Sequence, residues 1–178
     1  MEAIHYEEFY TLEDYRRWEG DWELIEGRPY AMSPAPIKRH QRISLQLAMA
    51  LSDALAVCEN CEVYQDIDYV VAEDTVVRPD IVVECDAEDE VVAKAPEIVF
   101  EIVSPSTARR DETAKFALYE REGVPYYGLV YSEFRVVKLY RRNDEGKYIK
   151  IGDFTKETIE LQMGKCTISI DCSTIWPK

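Results

Sequence analysis

Two runs of β-branched and apolar residues, VVRPDIVVEC at 76–85 and PEIVFEIVS at 96–104, carry ionisable acids inside them. Apolar runs interrupted only by an acid suit strands at the centre of a sheet covered on both faces. That setting constrains the acids. Asp80 opens the stretch Ile81, Val82 and Val83, and Glu101 lies between Phe100 and Ile102. A buried carboxylate without a partner is costly, so such a side chain has a cation, a set of donors or a metal beside it. Two of them on neighbouring strands converge within a few ångströms, where like charges either share a proton or bind a divalent cation. Oxygen-only ligation favours Mg2+ or Mn2+. The alternative is that each acid pairs with a buried base such as Arg78 or Lys115. Two acids on adjacent strands, followed by a loop and a helix bearing Lys115, favour the shared site.

Strand periodicity sharpens this. Val99, Glu101 and Val103 share one face, as do Asp80, Val82 and Glu84. Glu84 either joins that face further along or meets solvent at the strand end. On the following helix Asp111, Lys115, Leu118 and Tyr119 form one stripe. Asp111 and Lys115 are spaced for a helical salt bridge worth a few tenths of a kcal/mol. Alternatively, Lys115 reaches over the strand ends and offers positive charge to a reacting phosphate or water.

The rest of the chain reads as a mixed sheet flanked by helices, in the α/β to α+β range. TLEDYRRWEG is a short helix capped by Thr11, with Asp14 at its positive end and Gly20 closing it. WELIEGRPYAM is a hairpin about Glu26-Gly27. Residues 36 to 57 place His40, Ile43, Leu47, Leu51 and Leu55 on one helical face, after Pro34 and Pro36. Residues 62 to 72 alternate as one strand through Val63, Gln65, Ile67, Tyr69 and Val71. STARRDETAKFALYEREG is a helix started by Ser106 or Thr107 and closed by Gly123. Strands VPYYGLVYS and FRVVKLYRR follow, then shorter ones around Tyr148, Ile159 and Thr167–Ile170. No repeat, low-complexity tract or Pro/Gly/Ser linker divides the sequence, so one domain over 1–178 is expected.

Composition narrows the function classes. No apolar stretch approaches the roughly 20 residues that cross a bilayer. The N-terminal MEAIHYEEFY has neither the basic nor the apolar region of an export signal, so a soluble cytoplasmic protein without a membrane partner is expected. Five cysteines in such a chain read as reduced thiols. Cys58 and Cys61 do form a C-x-x-C, yet a zinc site wants a second close pair, and Cys166 and Cys172 are six apart with no nearby His. Lys and Arg number 21 against 35 Asp and Glu, a net charge of −14. That balance repels a polyphosphate backbone, so nucleic-acid binding would need a local basic patch or metal ions.

The segments WELIEG, MSPAP with His40, RPDIVV, PEIVFEIVSPST and DETAKFALYEREGVPYYGLV together resemble the Uma2 family. That family carries the restriction-endonuclease label and is assigned to the PD-(D/E)XK nuclease superfamily. E-I-V-S-P-S-T followed by D-x-x-x-K and Y-x-x-x-G-V is its most specific signature here. The resemblance implies a restriction-endonuclease-like fold and a site in which Asp80 and Glu101 hold Mg2+ or Mn2+ for hydrolysis of DNA. It makes Glu23 the additional acid and His40 a proton-handling or supporting group. It also implies a lysine two residues after the second acid, where this chain has Val103; Lys115 is then the candidate replacement. A homodimer is the expectation by analogy with restriction-type nucleases. Two rival functions remain: a non-catalytic scaffold retaining the fold, for which the 12 tyrosines offer contact surface, and hydrolysis of a smaller phosphate ester, which suits the acidic charge.

Overall fold

The computed structural model describes residues 8–32 and 37–177. Helix α1 (Leu12–Tyr15) starts with the capping box formed by Thr11 and Asp14. It ends well before Gly20, a shorter helix than the sequence suggests. Strands β1 (Trp22–Ile25) and β2 (Arg28–Ala31) pair as the predicted hairpin. Its two turn residues, Glu26 and Gly27, have φ of 51° and 74°, the left-handed values that a two-residue turn between right-twisted strands requires. The amphipathic stretch becomes α2 (Lys38–Leu55), burying Ile43, Leu47, Leu51 and Leu55. Pro34 and Pro36, read as its lead-in, lie outside the described residues.

Two predicted strands prove to be four. Residues 62–72 divide into β3 (Cys61–Gln65) and β4 (Tyr69–Ala72), and residues 76–85 into β5 (Thr75–Val77) and β6 (Ile81–Cys85). Each break has a local cause. Asp66 takes a left-handed φ of 51°, and Pro79 lacks the N–H a ladder needs. After these come β7 (Ile98–Val103), a wide π-helical turn (Arg110–Ala114) running into α3 (Lys115–Glu122), and β8 (Tyr126–Tyr131). Gly123 closes α3 with a φ of 88°. The chain finishes with β9 (Val136–Arg142), β10 (Tyr148–Phe154), and the hairpin β11 (Thr158–Met163) and β12 (Cys166–Asp171).

The central sheet runs β10-β9-β8-β7-β6-β3, with β7 and β8 parallel and the remaining neighbours antiparallel. A second sheet, β2-β1-β5-β4, holds the other halves of the divided strands. Alternation along β6 and β7 sends Ile81, Val83, Ile98, Phe100 and Ile102 into a core with α2 and the β11–β12 hairpin. Val82 and Val99 point the other way, into a core with Leu118, Tyr119 and Tyr127. Glu101 belongs to that second face by the same period. Beneath Phe100, Gly128 on β8 leaves the space its ring needs: a Cβ there would stand 2.2 Å from the ring.

The cysteines depart from expectation. Cys58 is joined to Cys166 and Cys61 to Cys85, leaving buried Cys172 as the free thiol. The fold supplies the reason: β3 pairs with β6 so that Cys61 lies directly opposite Cys85, and the β11–β12 hairpin packs against the same core as Cys58. The C-x-x-C does not close on itself. Among the described residues no helix is long and apolar enough to cross a membrane.

Candidate functional site

The β6–β7 ladder ends at the pair Ile81–Phe100. The next amide of β7 is not left unpaired: Ile102 N–H donates to Asp80 Oδ2 at 2.6 Å. Asp80 therefore extends the ladder with its side chain and is fixed beside Glu101. On its other oxygen, His40 Nε2 of α2 approaches Oδ1 at 3.3 Å.

Glu101 is 3% exposed. Its Oε1 accepts from Lys115 Nζ at 2.8 Å and from Tyr119 Oη at 2.9 Å, while Oε2 has no hydrogen bond among the described residues. Lys115 is equally buried, and Nζ also lies 2.6 Å from Glu23 Oε1. One ammonium thus bridges an acid of the N-terminal sheet and an acid of the central sheet. Glu23 Oε1 additionally accepts from Arg78 N–H at 2.9 Å. Its Oε2 lies 3.3 Å from Arg110 Nε, close enough to attract as charges, yet neither atom makes a hydrogen bond.

The wide helical turn aims this lysine. Lys115 N–H donates to Arg110 O, five residues back, and Tyr127 Oη donates to Asp111 O at 2.9 Å. A π-type turn of this kind often marks a functional segment. Here it turns both Asp111, 2% exposed, and Lys115 inward.

These groups line one cavity of about 300 Å3. All five residues singled out from the sequence, Glu23, His40, Asp80, Glu101 and Lys115, lie on its wall. So do Asp66, Arg78, Arg110 and Asp111, which sequence reasoning did not assign to a site. Asp111 carried a signal, its place on the Lys115 stripe, but a surface ion pair accounted for it equally well. Asp66 carried none, because it sat inside what looked like a continuous strand. Glu84 is buried on the Val82 face but takes no part in the cavity. Arg78, the base offered as a partner for Asp80, instead pairs with Asp68 and Asp21, each at 2.8 Å.

The electrostatics follow from this crowding. Burial raises the Glu101 carboxyl well above its usual range, Lys115 opposing and Asp111, Asp80 and Glu23 reinforcing it. Burial likewise pushes Asp111 up to about 6, again against Lys115. For Lys115 burial acts downward, but Glu101, Glu23 and Asp111 outweigh it and keep the ammonium charged. Five acids and three fixed cations line the cavity, an excess of two negative charges if all are ionised. Among the described residues no group of three or more His, Cys, Asp or Glu side chains is already gathered to hold a metal ion. Asp80 and Glu101 both face this cavity.

His40 gives a direct readout of the arrangement. Burial lowers its pKa, but the hydrogen bond and charge of Asp80, with Asp66 and Asp111 behind it, carry the net shift upward. Its stabilising contribution is complete below the unfolded value of 6.5 and is lost as pH rises through the higher folded one. Titration of the imidazole by NMR is expected to give a midpoint above 6.5, falling in Asp80→Asn. A midpoint indifferent to that substitution would separate His40 from Asp80.

A curated relative, "Uncharacterized protein slr1290" of Synechocystis sp., is 29% identical over 169 residues, covering 89% of this chain and 88% of its own. A crystal structure described as a "putative nuclease belonging to DUF820" from Anabaena variabilis superposes with a TM-score of 0.73 at 16% identity, over 93% of this chain and 97% of that one. The shared architecture is restriction-endonuclease-like. The model of the Uma2 family, described as "Putative restriction endonuclease", matches residues 6–165, a span that holds every acid and base of the cavity; the chain belongs to the Uma2 family.

Proposed function

We propose that this protein is a Mg2+- or Mn2+-dependent nuclease that hydrolyses phosphodiester bonds of DNA in the cavity between the two sheets. The observation that carries the reading is the lining: a buried, oxygen-rich cavity whose acids outnumber its fixed cations by two, an excess equal to the charge of one divalent ion once all five acids are ionised. The donor set fits. Mg2+ is held by one or two carboxylates while waters and substrate phosphate complete its octahedron. Asp80 and Glu101 would hold it, Glu101 through the oxygen that Lys115 and Tyr119 leave open. A bound divalent ion supplies Lewis acidity to the phosphate and a more acidic water.

The chain's own residues do the rest. Lys115 has three N–H donors; one makes the hydrogen bond to Glu101, and the ammonium is also ion-paired with Glu23. A further N–H is available to orient the attacking water or to meet a phosphate oxygen. Held by two acids, the ammonium keeps its charge and its place, which serves in space the part of the absent strand lysine. Glu23 anchors Lys115, and His40 holds Asp80 in position from the α2 side.

Family membership supports nuclease chemistry; DNA, the metal and these roles are the proposal. Wild-type protein is expected to nick plasmid DNA when Mg2+ or Mn2+ is added and to stop with chelator. Asp80→Ala is expected to lose more than the roughly 10–100-fold that removal of an outer partner of a metal ligand costs, with its circular dichroism preserved. Undiminished cleavage by that variant would sink the assignment. The net charge of −14 and the small cavity favour one rival, a phosphate ester shorter than a duplex. Comparing plasmid, oligonucleotide and chromogenic phosphodiester substrates decides between them.

A further inference from the structure

The C-x-x-C motif has no part in the acidic cavity, and the fold gives it the company the sequence could not. Cys58 and Cys61 flank the turn between α2 and β3, where Asn60 reverses the chain with a φ of 57°. Cys61 opens β3 opposite Cys85, the last residue of β6. Cys166 opens β12 after the Gly164-Lys165 turn. All four line one cleft of about 580 Å3 that shares no residue with the acidic cavity. Asp80 precedes β6 and Cys85 ends it, so the two places are separated by the length of a five-residue strand, about 17 Å.

We propose that Cys58, Cys61, Cys85 and Cys166 form a four-thiolate zinc site in the reduced protein, joining the end of α2, the β3–β6 edge and the C-terminal hairpin. A zinc site with four cysteines takes two ligands from one C-x-x-C turn and two from elsewhere. The second pair here comes from residues far apart in sequence, 85 and 166, which is why spacing alone did not reveal it. Each thiol of the motif reaches a distant partner, and the Cα atoms of the two pairs stand 5.7 and 3.9 Å apart. A zinc ion 2.3 Å from each sulfur holds the sulfurs roughly 3.8 Å from one another, a spacing such neighbours can span.

The chemistry of the cleft agrees. Thiolates are the soft ligands that select zinc over the oxygen-seeking Mg2+. The charged lining is mixed, Lys165 beside Glu59, Asp86 and Glu97, while Lys94 Nζ donates to the carbonyls of Cys85 and Asp86 at 2.7 and 3.2 Å. Cys172, by contrast, is sealed in the apolar core, where burial pushes its thiol up to about 12. It stays protonated and takes no part. In the structure the four sulfurs are bonded in pairs and offer no ligand. Two equivalents of a dithiol reductant open both bonds, each delivering two electrons and two protons, and Zn2+ then displaces the four thiol protons.

The test uses the full chain, treated with a dithiol reductant and Zn2+ and then desalted. Elemental analysis is expected to give one zinc per chain, released by a mercurial as the four thiols are titrated. Cobalt in place of zinc is expected to show the thiolate charge-transfer bands of a tetrahedral site. Cys61→Ser and Cys166→Ser lose stoichiometric zinc, and Cys172→Ser keeps it. Wild-type protein that retains no zinc while showing four freely reactive thiols overturns the proposal, and so does a mass showing both disulfides intact after reductant.

Discussion

Lys115→Met is expected to lower stability by about 3–5 kcal/mol, the cost of removing one partner from a buried ion pair. For a chain of this length that is a fall in melting temperature of roughly 10 °C. The methionine fills the same space, so the loss isolates charge from packing. Glu23 and Glu101, both held by this ammonium, would face one another in a low-dielectric site without it. The pH dependence has a definite sign. Lys115 lowers the already raised Glu101 carboxyl, so removing it raises that carboxyl further. A carboxyl whose folded pKa exceeds its unfolded one destabilises at high pH and is relieved as pH falls through the folded value. The deficit of the variant is therefore largest near neutrality and shrinks in mild acid. Adding Glu23→Gln should recover part of it, and thermal melts of the four combinations measure the coupling. Metal-dependent cleavage is expected to be lost in Lys115→Met even where the protein remains folded.

Glu101→Gln separates the two roles of that residue. The amide oxygen still accepts from Lys115 and Tyr119, and the volume is unchanged. One negative charge disappears from a group that burial and three other acids already disfavour. The variant is expected to melt at the wild-type temperature or above it. Its affinity for Mn2+, read by calorimetry, should fall more than tenfold and cleavage with it. Opposite signs for stability and function are what a strained, charge-crowded site produces. A variant that lost stability and metal binding together would instead make Glu101 a structural ion-pair partner.

Much of this site was legible before the structure because the costs that define it are local. A carboxylate between Phe100 and Ile102 needs a partner whatever the topology, and the spacing of Lys115 on the next helix puts a cation within reach. The alternation of β6 and β7 likewise fixed which residues share a face. The fold's divisions were less accessible. Residues 62–72 alternate without interruption, yet the chain changes sheets at Asp66, since period two is the same in either sheet. The π-type turn over 110–114 leaves no mark on helical periodicity, so Asp111 read as a surface ion pair until burial placed it in the cavity. The cysteines show the limit of spacing: Cys61 meets Cys85 because β3 and β6 are neighbours, a fact of topology alone.

The central claim is that Asp80 and Glu101 hold a divalent ion while Lys115 stays between Glu101 and Glu23. Crystals soaked in Mn2+ test it most directly, through the anomalous signal of the ion. The expected result is one peak within coordinating distance of Asp80 and of Glu101 Oε2, with Lys115 Nζ still on Oε1. No peak at saturating Mn2+, or a peak held only by other side chains, would contradict it.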